Sequence, residues 1–139
     1  MYTIFCTICG DDALAYQPGN TCCKCHNKRC TRYQNEKYAS DPAYRLKKVQ
    51  RNRIRKAILC QNTTKLCKTM ELIGCSTDAL KDHLESQFTN DMSWSNYGTF
   101  WHVDHRIPIS GFDLNDQNQQ ELAFNYNNLQ PLPARGNLL

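Results

Sequence analysis

The sequence lacks long hydrophobic runs. Its mean hydropathy is −0.67 and its apolar stretches are only a few residues long, so no segment is expected to span a membrane. The start, MYTIFCTICGDD, has no basic region followed by an apolar one, so no secretory signal is expected either. Internal repeats and low-complexity tracts are also missing. With 139 residues, the chain fits one ordinary domain or one small module joined to another.

Acidic residues are scarce in the middle of the chain. From Lys24 to Lys68 there are 14 Lys and Arg but only two acids, a net charge of +12. Residues 1–23 carry −2 and residues 69–139 carry −6, which accounts for the formal net charge of +4. A basic middle is typical of a phosphate-binding segment, whereas a merely solvated helix face usually mixes both signs. We therefore predict a basic helical DNA-binding segment over residues 36–70. The side chains expected to contact DNA are Lys47, Lys48, Arg51, Arg53 and Arg55.

Cysteine, in contrast, is abundant, and its nine copies are an odd number. In a secreted protein this count would indicate a disulfide framework with one thiol left over. Because no signal is expected, the sequence favours an intracellular protein in a reducing compartment, in which some cysteines bind metal. A secreted disulfide module is the less favoured alternative.

Two C-x2-C pairs stand in the N-terminal segment, Cys6 with Cys9 and Cys22 with Cys25, with twelve residues between them. Two residues between thiolates allow a tight turn to place both sulfurs on one ion, and two such turns complete a tetrahedral shell of the structural zinc type. A segment this short could hardly fold on its apolar residues alone. The spacing therefore predicts a zinc knuckle over residues 1–35, and the alternative is a set of free, buried thiols.

Three helices are expected between this knuckle and the C-terminal third, whereas the segment up to about Cys30 is expected to form loops and short strands. A capping Asp41 before Pro42 begins a helix that runs to about Cys60. A second helix is expected from Thr63 or Thr64 to Gly74. A third is capped by Ser76 or Thr77 and has apolar residues four apart. These apolar residues are Leu80, Leu84 and Phe88.

The C-terminal third reads WHVDHRIPIS, then a polar stretch, then NNLQPLPARGNLL. It contains an Asp-His pair followed by a proline, an Asn-Leu-Gln segment, and an asparagine nine residues after the first residue of that segment. These residues are Asp104, His105, Pro108, Asn128, Leu129, Gln130 and Asn137. The arrangement resembles the HNH (ββα-metal) endonuclease family, particularly its small phage, viral and intron-borne members. The preceding LIGCSTDALKDHLESQF and MSWSNYG also resemble that group, so the resemblance covers roughly residues 72–139.

The resemblance implies a ββα-metal nuclease domain over residues 71–139 and a phage, viral or mobile-element origin. It implies that His105 is the general base and that Asp104 and Asn137 hold a divalent ion. It also implies that Asn128 braces the loop that carries the base, through hydrogen bonds from its side chain to the backbone.

Phosphodiester hydrolysis needs an activated water and stabilisation of the charge that grows on the phosphate and the leaving oxygen. A histidine that is neutral near pH 7 can take the proton from water. Carboxylate and amide oxygens suit a hydrated divalent ion, Mg²⁺ or Mn²⁺ with Zn²⁺ as the alternative. The residue types at the predicted site are therefore those that this chemistry requires.

Neighbours on a regular strand point to opposite faces, so Asp104 and His105 can share one pocket only if the strand breaks or bulges near them. Pro108 so soon afterwards favours early termination. His102 shares a face with Asp104, and we expect it to pack, with a metal or phosphate contact as the alternative. Arg106 is expected either to hold a phosphate oxygen or to be solvated.

Together these patterns predict an α+β chain with an N-terminal zinc knuckle, a basic helical segment and a C-terminal ββα-metal nuclease fold. The predicted function is metal-dependent hydrolysis of DNA phosphodiester bonds, by nicking or by cutting both strands. The alternative is a non-catalytic zinc-binding adaptor for DNA or RNA. One departure from the family is that only Leu138 and Leu139 follow Asn137, so the last helix would be short and marginal without packing.

Overall fold

A computed structural model describes residues 3–10, 12–14 and 21–134. The chain divides between Asp41 and Pro42 into an N-terminal unit, Met1–Asp41, and a C-terminal unit, Pro42–Leu139. This division differs from the predicted segment boundaries at residues 35 and 70. Within the described ranges, no helix has both the length and the apolar character needed to cross a membrane.

The N-terminal unit contains a two-stranded antiparallel hairpin of β1 (Thr3–Phe5) and β2 (Asp12–Leu14), followed by helix α1 (Cys23–Ser40). The short strands were expected, but the loops expected up to Cys30 are wrong, because α1 begins at Cys23. The thiol of Cys22 caps this helix by accepting a hydrogen bond from the backbone N–H of Cys25 at 3.4 Å.

Helix α1 ends where Asp41 adopts an extended conformation, as residues before proline do. In the C-terminal unit, α2 (Pro42–Cys60) then begins at Pro42 and ends at Cys60, as predicted. Its buried residues recur at four-residue intervals, which places them on one face of the helix. They are Leu46, Gln50, Ile54 and Ile58.

Helix α3 (Thr69–Ile73) is shorter than predicted, because the chain from Thr63 to Lys68 is held outside a helix by α5 (Gln117–Phe124). The buried side chain of Gln120 donates to the carbonyl oxygen of Thr64 at 2.9 Å and accepts from the N–H of Leu66 at 3.2 Å. Gly74 ends α3 in the left-handed conformation, at φ 78°, as expected for a helix stop.

Helix α4 (Thr77–Glu85) is capped by Ser76, whose hydroxyl oxygen accepts a hydrogen bond from Ala79 N–H at 3.1 Å. Leu80 and Leu84 are fully buried. Both the cap and the four-residue apolar spacing were predicted, and both are confirmed.

Strands β3 (Trp101–His105) and β4 (Leu129–Pro133) form an antiparallel pair in which His105 lies opposite Leu129. Helix α5 lies in the connection between them. The core of this unit gathers Trp101, Val103 and Phe124 with the buried leucines of α2, α3 and α4. The chain is therefore an α+β protein. Pro133, where the short last helix of the predicted ββα motif was expected to begin, belongs to β4, and residues 135–139 lie outside the described ones.

Candidate metal cluster and candidate nuclease site

The four cysteines of the two C-x2-C pairs converge in the N-terminal unit. The sulfurs of Cys6, Cys9, Cys22 and Cys25 all lie within 4.8 Å of one another. The Sγ atoms of Cys9 and Cys22 are 3.8 Å apart. A tetrahedral zinc with Zn–S bonds of about 2.3 Å separates its sulfurs by about 3.8 Å, so the donor set fits such an ion.

Backbone and side-chain hydrogen bonds tune these thiols differently. The N–H of Cys22 donates to the sulfur of Cys6 at 3.4 Å, and this bond is the largest of those that lower the pKa of Cys6 to about 6. Hydrogen bonds with Cys22 and then Cys9 raise the pKa of Cys25 to about 12. Closely packed thiols titrate as a set, and a divalent cation displaces their protons when it binds. The cluster can therefore hold a structural metal ion such as zinc.

Three further residues near the second pair stay outside this cluster. The sulfur of Cys30 lies 3.3 Å from Nε2 of His26, one helical turn earlier on α1. Among the described residues, the group whose ligand atoms converge is that of the four C-x2-C cysteines, without Cys23, His26 or Cys30.

Asp104 and His105 stand at the end of β3, and the strand stays paired through both of them. Trp101 and Val103 are buried, and His105 lies on the same face, with its ring centroid 6.3 Å from that of Phe124. Asp104 belongs to the opposite face. The strand ends only after His105, so the break that was expected to bring the two side chains into one pocket is absent from β3. The carboxylate of Asp104 still acts on the His105 ring electrostatically from the opposite face.

His102 lies on the Asp104 face and is exposed, so the prediction that it packs is wrong. The flanking Trp101 and Val103 take the buried positions of the strand, which leaves the residue between them on the solvent side.

The His105 imidazole is half-buried, and three influences act on its pKa. Burial lowers the pKa most, the positive charge of Arg53 lowers it further, and the negative charge of Asp104 opposes both. The net shift is downward, which favours the neutral ring that can accept a proton.

Asn128 is buried and fixes the backbone that follows His105. Its Oδ1 accepts from the N–H of Ile107 at 2.8 Å, and its Nδ2 donates to the carbonyl oxygens of Ile107 at 3.1 Å and Ala123 at 3.0 Å. Its own carbonyl oxygen accepts from the N–H of Arg106 at 2.8 Å. Three of these hydrogen bonds hold the two residues after His105.

Arg53 was predicted only as one of several DNA contacts. Its guanidinium donates to the carbonyl oxygen of Val103, and its Nη2 lies 4.0 Å from Oδ1 of Asp104. Nothing in the sequence around Arg53 distinguishes it from the other arginines of α2, because its partners lie about fifty residues away in the chain.

The other predicted site residues are distributed as follows. Lys47, Arg51 and Arg55 are exposed on α2, and Lys48 is half-buried beside the ring of Tyr44. The guanidinium of Arg106 donates to the side-chain oxygen of Gln87. Asn137 lies outside the described residues.

A cleft of about 510 Å³ opens beside the residues that follow His105. Its apolar lining includes Phe112 and the exposed side chains of Ile107 and Leu122, and Asn127 and Arg106 stand at the same cleft.

Similar proteins come from a giant virus. The chain is 39% identical over 111 residues to "Uncharacterized protein L246" and 36% identical over 96 residues to "Uncharacterized protein L426", both of Acanthamoeba polyphaga mimivirus. These matches cover 80% and 69% of this chain but only 48% and 41% of the relatives, so the chain spans less than half the length of the curated relatives it matches. No protein-family description matches the chain, and no solved structure matches it. The relatives agree with the viral origin expected from the sequence.

Proposed function

We propose that the C-terminal unit is a metal-dependent endonuclease of the HNH (ββα-metal) type that hydrolyses phosphodiester bonds in DNA. The observation that carries this proposal is a pair of hydrogen bonds from the Asn128 side chain to the backbone N–H and carbonyl oxygen of Ile107, which we call the clamp. Ile107 lies two residues after the half-buried His105. A general base needs a fixed position and a pKa suited to its work, and the clamp and the lowered pKa of His105 support both.

In this proposal His105 takes a proton from the attacking water. Its ring packs edge-on at 71° against Phe124, and its backbone is paired with Leu129, so one side of the imidazole is held in place. The strand ends immediately afterwards, and the cleft of about 510 Å³ lies beside the next two residues, Arg106 and Ile107.

Asp104 and Asn137 would hold the divalent ion, Mg²⁺ or Mn²⁺. The Asp104 side chain is 46% exposed with Arg53 at 4.0 Å beside it, so its hard carboxylate oxygens are open to a cation. When bound, such an ion stabilises the negative charge that develops on the phosphate and the leaving oxygen.

The DNA backbone would lie along α2. Lys47, Arg51 and Arg55 recur at four-residue intervals, so they share one face of the helix, and all three are exposed. A row of cations on one exposed face suits a line of phosphates. Arg53 lies off this row and reaches Asp104, so we assign it to orienting the carboxylate.

The test is a plasmid-nicking assay with Mg²⁺ or Mn²⁺ that compares the wild-type chain with His105→Ala. The variant should lose nicking by roughly two to four powers of ten while DNA binding persists, since the imidazole transfers a proton and does not hold the polymer. A His105→Ala protein that nicks at the wild-type rate would end the proposal.

The second candidate is a non-catalytic zinc-binding adaptor for DNA or RNA. The observation that favours it is that two cysteines of the cluster, Cys22 and Cys25, lie at the start of the basic helix α1. The same assay separates the two candidates, because an adaptor would bind nucleic acid without cutting it under any divalent metal.

A further inference from the structure

Helix α1 of the N-terminal unit has 18 residues, all of which the structure describes, and none of them is buried. This is unusual for a helix of that length. A surface helix ordinarily buries an apolar stripe, and a helix that is polar all round lacks that support. What anchors α1 is its first turn, where Cys22 caps the helix and Cys25 follows, both of them members of the cysteine cluster. The rest of the helix therefore stands out from the cluster with its faces accessible.

One of those faces is strongly basic. Lys24, Lys28 and Arg32 recur at four-residue intervals, and Asn35 continues the same face. The acid of α1, Glu36, pairs with Arg32 at 3.7 Å between two exposed side chains, a contact that contributes little to stability and leaves the face cationic. A cleft of about 950 Å³ runs along this face from Lys28 to Glu36 and continues to Ile8 and Cys9 of the first C-x2-C pair.

We propose that this face of α1 enters the major groove of duplex DNA and gives the N-terminal unit a DNA-binding surface of its own. We name it the α1 basic face, and it consists of Lys24, Lys28, Arg29, Thr31, Arg32, Asn35 and Glu36. Its four bases outnumber its single acid, so the face is cationic. The choice of polymer rests on the proposed function, whereas the choice of face rests on the N-terminal unit alone.

Three features favour duplex DNA as the partner. The lysines and arginines complement phosphates, and a single α-helix fits the major groove of B-DNA, which is about 12 Å wide. Arginine and asparagine are the side chains that read guanine and adenine edges in that groove. The major groove of an RNA duplex is too narrow for side chains to read, so duplex RNA does not fit this face.

The test uses the full chain and a matched pair of charge reversals. Residues advance by about 100° each around a helix, so Lys28 and Lys37, nine positions apart, lie on opposite sides of α1. Lys28→Glu and Lys37→Glu change the net charge equally. The probes are a mixed-sequence DNA duplex and an RNA duplex of the same length, and binding is followed by fluorescence anisotropy at several salt concentrations.

Lys28→Glu should weaken DNA binding about ten-fold and reduce the dependence of log Kd on log salt by roughly one. Lys37→Glu should change binding far less, and the milder Lys28→Gln should fall between wild type and Lys28→Glu. Circular dichroism checks that all three variants keep their helix content. Equal losses for the two reversals, or a larger loss on RNA than on DNA, would overturn the proposal.

The two proposals fail separately. If Lys28→Glu binds DNA as wild type does while His105 is still required for nicking, the α1 basic face is wrong and the nuclease stands. If binding depends on Lys28 but no metal supports cutting, the nuclease is wrong and the DNA-binding surface stands.

Discussion

Arg53 and Asp104 meet across the C-terminal unit: Nη2 of the arginine lies 4.0 Å from Oδ1 of the aspartate, with the two side chains 37% and 46% exposed. The same guanidinium donates to the carbonyl oxygen of Val103, so it is attached to the strand as well as to the carboxylate. Half-exposed pairs of this kind contribute little to stability. Their value is in holding a side chain in one orientation, which here concerns a proposed metal ligand.

Arg53→Gln should therefore slow nicking at saturating DNA by roughly ten- to a hundred-fold, because Asp104 loses the group that orients it. Arg51→Gln is the matched control, since Arg51 is exposed two residues earlier on the same helix. It should weaken DNA binding but leave the saturated rate near that of wild type. Measuring rates over a range of DNA concentrations separates the two effects. If both variants lose only affinity, Arg53 is an ordinary phosphate contact.

The pH dependence of nicking should reflect the lowered pKa of His105. Burial is the first cause of that shift and Arg53 the second, so the ring stays neutral at pH values where an ordinary imidazole is protonated. The acidic limb of the rate profile should then lie below pH about 6.5, the usual imidazole value. Removing the charge of Arg53 in Arg53→Gln should move the limb to higher pH. An acidic limb above that usual value in the wild-type chain would contradict the assignment.

Asn128→Ala should destabilise the C-terminal unit and impair nicking together. The change removes the side-chain partners of the exposed Ile107 and of the buried Ala123, and an unpaired buried backbone group costs about 1–3 kcal/mol. Asn127→Ala is the control, since Asn127 is exposed. Urea unfolding gives the change in the free energy of unfolding, and the plasmid assay gives the rate. A stable, fully active Asn128→Ala protein would show that the loop after His105 needs no clamp.

The purified protein should contain about one equivalent of zinc when it is kept reduced. Cys9→Ser should lose that metal and loosen the N-terminal unit, because metal affinity at such a site is also folding free energy. Cys23→Ser makes the same substitution at a cysteine outside the converging group and should retain the zinc. Metal analysis and circular dichroism provide the readouts. Equal zinc in both variants would contradict the assignment of the ligands.

Features set by neighbouring residues could be predicted from the sequence. Pro42 and Ser76 mark the beginnings of α2 and α4, and the paired cysteine spacing placed the cluster, because caps and tight turns depend on a few adjacent residues. The start of α1 was missed because a cysteine, an unusual capping residue, begins it. A local pattern gives no sign of such a cap.

Features set by distant residues could not be predicted in this way. The late start of α3 depends on Gln120, which holds the preceding loop from more than fifty residues away. The position of Arg53 depends on Val103 and Asp104 in the same manner. The apolar neighbours of His102 predict that its side chain packs, but the alternation of side chains along the strand leaves it exposed.

The pairing of β3 with β4 also determines when the site can form during folding. Residues 106–128, with α5 among them, separate the two strands in the chain. This segment must fold back on itself to bring Leu129 beside His105, and the entropy cost of closing such a loop slows the pairing. On the ribosome, helices α2, α3 and α4 of the C-terminal unit can pack together while β3 still has no partner. His105 therefore cannot reach its final position until Leu129–Pro133 have been synthesised, and a chain interrupted anywhere in residues 106–128 would lack the site altogether.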